Sequence, residues 1–112
     1  MASTSRTGDI TELTVCTKLL EKGFEVMRNV SSVGLIDIVV YSPKTKKIYL
    51  FDVKTCNPYV REDRSINFAT GYLNKEQIEI GVEICFLWEN NVFIKKEKEI
   101  INILDYDVLG DI

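Results

Sequence analysis

Two aspartates lie where the sequence pattern predicts neighbouring, largely buried strands. Asp37 lies within residues 35–41 and Asp52 within residues 48–55, two segments rich in β-branched and aromatic side chains. A hairpin with its loop at residues 43–46 places Asp37 directly opposite Asp52. Opposed side chains have Cβ atoms about 5 Å apart, and like charges there are destabilising. A hard divalent cation would relieve the repulsion; the alternatives are a register shifted by one residue or an aspartate solvated at a strand end.

A third charged side chain, Lys54, follows Asp52 on the same face of the strand, about 6.6 Å further along. It is the nearest candidate cation and a candidate catalytic group. The sequence contains no histidine, which excludes Ser-His-Asp and Cys-His nucleophile systems, histidine metal ligands and a histidine general base. Any chemistry must therefore use carboxylates, lysine, hydroxyls, thiols or a metal ion held by oxygen ligands.

Glu12 lies inside the apolar side of the first predicted helix, which runs from about residue 3 and is closed by Gly23 as a left-handed cap. At 100° per residue, apolar side chains fill the same arc: Leu13, Val15, Cys16, Leu19 and Leu20. A carboxylate in that arc is costly unless it is paired, which makes Glu12 a candidate site residue. The alternative is a capping box, in which Asp9 is the N-cap and Glu12 the third helical residue. The two roles are compatible.

Gln77 repeats this pattern on a short predicted helix at residues 73–80, where Leu73 and Ile80 flank it on the apolar side. Two interpretations remain open. Gln77 either contacts the same site as a further catalytic residue or only forms a hydrogen bond to a backbone carbonyl.

The remaining segments position these residues in an α/β fold. Further strands are predicted at residues 24–30, 82–88 and 92–96. Residues 57–71 form a long polar stretch, and residues 97–104 are ambiguous between helix and strand. The order α-β-β-β-α-β-β indicates a central mixed sheet flanked by helices. We expect one domain over residues 1–112, with an acidic tail at about 105–112 that is free to fray.

The composition is that of a globular protein, with 112 residues, 46% hydrophobic side chains and a formal net charge of −3. This mild negative charge argues against a non-specific nucleic-acid coat, but it allows a local site where a cation neutralises carboxylates. The best apolar run contains Asp37 and is too short to span a membrane. Cys16, Cys56 and Cys85 form no CxxC pair and indicate reduced thiols, so we expect a cytoplasmic protein.

The order Glu on the first helix, Asp on a strand and Asp-x-Lys on the next resembles the PD-(D/E)XK nuclease superfamily. Here these residues are Glu12, Asp37 and Asp52-Val53-Lys54, with Ile36 where the motif has proline. The segment Thr7-Gly8-Asp9-Ile10-x-Glu12 is similar to archaeal Holliday junction resolvases, and the whole pattern also resembles small endonucleases associated with group I introns. The resemblance covers about residues 5–56 and the short helix, and implies a restriction-endonuclease-like core.

The resemblance also implies roles for the polar residues. Asp37 and Asp52 would ligate Mg²⁺, or Mn²⁺ in its place, with the Val53 carbonyl as a third oxygen. Glu12 would hold a metal-bound water or a second ion. Lys54 would orient the attacking water or stabilise the phosphorane. The metal would lower the pKa of its bound water and neutralise charge on the phosphate.

Basic residues are expected to contact DNA phosphates: Arg6, Lys44, Lys46, Lys47, Arg61 and Arg64. Each has the alternative of a solvated surface charge. Tyr59 and Phe68, in the same polar stretch as the last two, would follow the DNA backbone with them.

The expected function is a metal-dependent DNA endonuclease in a prokaryotic or phage-infected cell. A structure-selective, Holliday junction resolvase-like enzyme is placed ahead of a sequence-specific homing or restriction-like one. The alternatives are a non-catalytic nuclease-fold module for DNA binding or assembly, and an interaction domain whose buried charges form a structural ion pair. Since one chain carries one metal site, paired incision predicts a symmetric homodimer, with Trp88 and Phe93 either at its interface or in the monomer core.

Overall fold

The computed structural model describes residues 4–31, 33–55, 57–60, 62–63, 66–69, 71–96 and 99–104. Within these ranges two helices, α1 (Thr4–Glu21) and α2 (Lys75–Ile80), accompany two β-sheets. The strands, in chain order, are β1 (Glu25–Arg28), β2 (Ile38–Tyr41), β3 (Ile48–Lys54), β4 (Asn57–Val60), β5 (Ile66–Ala69), β6 (Val82–Trp88), β7 (Asn91–Lys96) and β8 (Glu99–Asn102). Neither described helix is long and apolar enough to cross a membrane.

The larger sheet has six strands in the order β1-β2-β3-β6-β7-β8. Its neighbouring strands are antiparallel except for β3 and β6, which are parallel and are joined by a crossover that contains α2. The predicted fold class, an α/β fold with a mixed sheet flanked by helices, is confirmed. The polar stretch at residues 57–71 contains a second, two-stranded sheet of β4 and β5, and the ambiguous segment at 97–104 contains β8.

The β2–β3 hairpin has the predicted register. Val39 pairs with Leu50 and Tyr41 with Ile48, and the Asp37 N–H donates to the Phe51 carbonyl at 2.9 Å. Asp37 lies one residue before β2, outside the paired residues, but its carboxylate accepts from the Val53 N–H and contacts the Asp52 side chain. The alternative of a register shifted by one residue is therefore wrong.

Helix α1 covers one face of the sheet with a narrow apolar stripe. Val15 and Leu19 are fully buried, and Cys16 is 9% exposed. They pack in a core that includes these strand residues: Ile38, Val40, Phe51, Cys85, Val92 and Ile94. Leu13 and Leu20, which the predicted arc included, are 49% and 56% exposed, because they lie about 90° or more from the centre of the buried stripe at 100° per residue.

The end of α1 is fixed by Gly23, as predicted. Its φ of 98° is the left-handed conformation that favours glycine. The Gly23 N–H donates to the Leu20 carbonyl at 3.0 Å, and the Phe24 N–H donates to the Leu19 carbonyl at 3.1 Å. The turn brings the buried Phe24 into the core and starts β1 beside β2.

Helix α2 lies on the opposite face. Successive strand side chains point to opposite faces, so Asp52 points away from the core that holds Phe51, and it meets Gln77 of α2. Trp88 and Phe93 are half-buried on this face, in a small cluster with Ile84, Phe86, Leu73 and Ile100. Both aromatic rings thus contribute to the packing of the single chain.

Candidate active site

The centre of the site is the pair of aspartates at the start of β2 and near the end of β3. Asp52 is 8% exposed and Asp37 is half-buried. Burial raises the pKa of Asp37 to about 7; its hydrogen bond with Asp52 and the charges of Asp52 and Glu12 act in the same direction, while the Val53 N–H opposes them. The Val53 N–H donates to Asp37 Oδ2 at 2.7 Å. Without a cation, the two carboxylates therefore retain a proton close to neutral pH.

Two donors converge on one oxygen of Asp52. Lys54 Nζ lies 3.0 Å from Asp52 Oδ2, and Gln77 Nε2 donates to the same atom at 3.1 Å. Lys54 is the residue two positions along the same strand, as the period of a strand requires. The structure thus brings together four residues that the sequence pattern selected from different elements: Asp37, Asp52, Lys54 and Gln77.

Gln77 is held by a complete capping box. Asn74 is the N-cap of α2; its side chain accepts from the Gln77 N–H at 2.9 Å, and its own N–H donates to Gln77 Oε1 at 2.9 Å. The remaining amide N–H of Gln77 donates to the Leu35 carbonyl at 2.9 Å. The Gln77 side chain therefore contacts Asp52 and also bonds a backbone carbonyl, while its role as a catalytic residue stays a prediction.

Glu12 reaches the site from the helix side, where it pairs with Arg28. The Arg28 Nε donates to Glu12 Oε1 at 2.6 Å, and Arg28 Nη2 lies 3.7 Å from Asp9 Oδ1. The capping-box alternative for Glu12 is wrong, because α1 begins at Thr4 and Asp9 lies in the body of the helix. Arg28 on β1 is the ion-pair partner that offsets the free-energy cost of burying most of the Glu12 side chain.

A cavity of about 480 Å³ lies beside Glu12 and Asp37. Its lining residues are Asp9, Glu12, Arg28, Asn29, Val30, Ser31 and Asp37. A larger cavity, about 810 Å³, lies elsewhere and is lined partly by Leu73, Ile78 and Glu83, with none of the predicted site residues among its lining. Of these two cavities, only the smaller one is lined by predicted site residues, Glu12 and Asp37.

The donor set fits a hard divalent ion such as Mg²⁺. Among the described residues, no three or more His, Cys, Asp or Glu side chains cluster in a way that would enclose a metal ion. Asp37 and Asp52 alone face each other, and Glu12 is taken by Arg28. Two carboxylate ligands suit Mg²⁺, which keeps several waters and completes its shell with substrate phosphate oxygens.

The predicted DNA-contacting residues lie at several places. Lys44, Lys46 and Lys47 are exposed at the hairpin tip, roughly 17 Å along the strand from Asp37. Arg6 is exposed in the first turns of α1. Arg61 and Arg64 lie outside the described residues. The structure does not bring the hairpin lysines together with the carboxylates, so any contact they make is to a distant part of a long substrate.

Sequence reasoning missed Arg28 and Asn29. Arg28 ends β1, which pairs with the strand that follows Asp37, and this position beside a predicted site strand was the available signal. Asn29 shapes the next loop: its side chain donates to the Ile36 carbonyl at 2.8 Å and accepts from the Ser31 N–H at 2.9 Å. A Cβ on Gly34 would lie 2.7 Å from Asn29 Nδ2, so a larger residue there would displace the Asn29 amide from this position.

This architecture is similar to the solved structure of a bacterial homing endonuclease. That protein is I-Ssp6803I, and the match has a TM-score of 0.56 and 15% sequence identity, covering 95% of this chain and 81% of that one. At this identity the similarity shows the fold. No protein-family model and no curated protein sequence matches the chain.

Proposed function

We propose that the protein is a Mg²⁺-dependent DNA endonuclease of the PD-(D/E)XK type. It would hydrolyse phosphodiester bonds of DNA at an active site that contains Asp37 and Asp52. The observation that carries this proposal is a pair of neighbouring carboxylates, the half-buried Asp37 and the buried Asp52. Lys54 Nζ lies 3.0 Å from Asp52 Oδ2. Such a pair of carboxylates is unfavourable in the free protein and becomes favourable around a cation. The endonuclease fold is independent support.

Each residue of the site would have a separate role in hydrolysis. A divalent ion would lower the pKa of a bound water and neutralise charge on the phosphate. Asp37 and Asp52 would hold it, with the Val53 carbonyl as a third oxygen. Lys54 would leave Asp52 for the attacking water or a phosphate oxygen when the ion takes over that carboxylate. Glu12 would hold a water or a second ion from the helix side.

Gln77 acts on this arrangement through Asp52. Its amide ties one oxygen of the carboxylate to α2, while the capping box and the Leu35 carbonyl fix the amide itself. The other oxygen of Asp52 is thereby aimed in one direction, which is the kind of support that metal-ligating carboxylates require.

For the DNA substrate we propose branched DNA of the Holliday junction type, because the segment from Thr7 to Glu12 resembles the resolvases. A second candidate is duplex DNA of a particular sequence, which the homing endonuclease neighbour favours. Either substrate has two strands to be cut, so we also propose a homodimer. Light scattering checks the dimer, since a mass near 12.8 kDa contradicts it.

The test is cleavage of linear duplex, single-stranded, flap and four-way DNA, with Mg²⁺ and then with EDTA. We expect cutting only with Mg²⁺, and its loss in Asp52→Asn. The matched control is Glu21→Gln, which removes an exposed carboxylate at the end of the same domain's first helix and should cut as the wild type does. Cutting that survives EDTA contradicts the metal-dependent mechanism, and a four-way DNA left uncut contradicts the proposed branched substrate.

A further inference from the structure

Arg28 forms an ion pair with Glu12, the carboxylate that the proposed mechanism assigns to the cation site. Its Nε lies 2.6 Å from Glu12 Oε1, and its Nη2 lies 3.7 Å from Asp9 Oδ1. The Arg28 side chain is 42% exposed, whereas that of Glu12 is only 17% exposed. Both side chains line the cavity that Asp37 also lines, so the ion pair lies beside the proposed cation site.

We propose that Arg28 is a positioning residue that withholds Glu12 from the cation site in the DNA-free protein and releases it when a DNA phosphate takes the guanidinium. This inference rests on the proposed function, since it assumes a divalent ion at Asp37 and Asp52 and a DNA substrate. It adds a regulatory step to that function: the cation site gains its third carboxylate when the substrate is present.

The chemistry of the guanidinium allows this exchange. Its planar fork matches a carboxylate and a phosphate equally well, and both pairs are charge-assisted. A partly exposed ion pair contributes little to stability, so a phosphate replaces Glu12 beside the guanidinium at a small cost in free energy. Among the described residues that line the cavity, Arg28 is the one basic side chain, beside the carboxylates of Asp9, Glu12 and Asp37. Of these four charged side chains, Arg28 alone attracts a phosphate that enters the cavity.

Two affinities become linked by this exchange. DNA that occupies Arg28 frees Glu12 for the ion, and the bound ion must then strengthen DNA binding by the same factor. The DNA-free protein should accordingly bind a divalent ion weakly, through Asp37 and Asp52 without Glu12.

The test measures Mn²⁺ binding to DNA-free protein by calorimetry and by the EPR signal of the free ion. We expect Arg28→Gln to bind Mn²⁺ at least about fivefold more tightly than the wild type. In the double variant Glu12→Gln/Arg28→Gln that gain should disappear. If Arg28 acted only by its positive charge near the aspartates, the gain would persist in the double variant, which would overturn the proposal, as would an unchanged affinity in Arg28→Gln.

Controls separate loss of charge and loss of fold from the proposed role. Lys22→Gln removes an exposed positive charge just after α1 and should leave Mn²⁺ binding unchanged. Arg28→Lys keeps the charge but loses the fork, so it should show a smaller gain than Arg28→Gln and serves as the test if that variant does not fold. A second arm uses a Lys54→Ala background to prevent cleavage: duplex DNA should tighten Mn²⁺ binding there, and the effect should vanish when Arg28→Gln is added.

Failure of this inference is distinguishable from failure of the proposed function. If Asp52→Asn binds Mn²⁺ as tightly as the wild type, the aspartates are not the cation site and both proposals fall. If Asp52→Asn loses Mn²⁺ while Arg28→Gln binds it as the wild type does, the endonuclease proposal stands and the role of Arg28 is refuted.

Discussion

The two sides of the candidate site hold their carboxylates in different ways. On the strand side, Asp52 is 8% exposed and accepts two hydrogen-bonding donors, Lys54 and Gln77. On the helix side, Glu12 has Arg28 as its ion-pair partner, and that arginine is 42% exposed. A buried carboxylate with two donors has one stable arrangement, whereas a half-exposed ion pair changes partners at little cost. The comparison teaches that one half of the site is fixed by folding and the other half is able to respond to a substrate.

The largest expected effect comes from replacing Asp52, the carboxylate on the strand side of the site. Asp52→Asn should lower the cleavage rate by more than about a hundredfold, which is the upper end of the cost of losing a residue that merely supports a ligand. The metal-free variant should melt at the same or a higher temperature, because the repulsion between Asp37 and Asp52 is gone. Cleavage assays and a thermal melt check the two parts. Full activity would remove Asp52 from the site.

A smaller loss is expected on the responsive side. Since Glu12 does not cap α1, Glu12→Gln should lose most of the cleavage rate while the free energy of unfolding stays within about 1 kcal/mol of wild type. Urea denaturation measures the stability. The matched control is Glu25→Gln, an exposed carboxylate on β1, which should change neither quantity. Retained activity in Glu12→Gln would make its pair with Arg28 purely structural.

The Gln77→Ala variant tests whether the strand side of the site, around Asp52, depends on helix α2. Gln77→Ala removes a buried side chain that makes three hydrogen bonds, with the Asn74 N–H, the Leu35 carbonyl and Asp52 Oδ2. We expect a loss of about 1–3 kcal/mol in the free energy of unfolding and a fall in cleavage rate of about tenfold or more. Glu79→Ala, exposed on the same helix, is the control. A variant with lower stability but normal cleavage would restrict Gln77 to holding α2 in place.

The strand side could be predicted from the sequence because its geometry is local. Residues 35–55 contain both strands and the loop that sets their register, so the opposition of Asp37 and Asp52 follows from spacing alone. The position of Gln77 followed from one polar residue on the apolar side of a short helix. In each case a period of two or of 3.6 residues carries the information.

The helix side could not be predicted in the same way. The Glu12–Arg28 pair depends on how α1 crosses β1, and the rotation of α1 is decided by packing against strands far along the chain. The same rotation leaves Leu13 and Leu20 exposed, although an apolar arc alone would include them. The pairing of β4 with β5 was missed because a polar stretch offers no alternation of buried and exposed side chains.

The smallest expected effect is a dependence of stability on pH that belongs to the strand side. In the metal-free protein the pKa of Asp37 is raised to about 7 by burial and by Asp52, so the native state binds a proton that the unfolded chain releases at lower pH. The free energy of unfolding should therefore be highest below the ordinary pKa of an aspartate and fall as the pH rises through 7. Urea unfolding in EDTA at about pH 4.5 and about pH 8 measures this fall.

Asp37→Asn supplies the control for that measurement. It should reduce the fall in stability between the two pH values, and what remains should come partly from Glu83, whose pKa is also raised by burial while Lys96 opposes the shift. Adding Mg²⁺ should restore stability to the wild type at the higher pH, since the ion replaces the proton between the carboxylates, and should do so much less in Asp37→Asn. A wild-type fall equal to that of Asp37→Asn would mean that Asp37 does not hold the proton. In that event the strand side would not be the strained, cation-requiring half of the site.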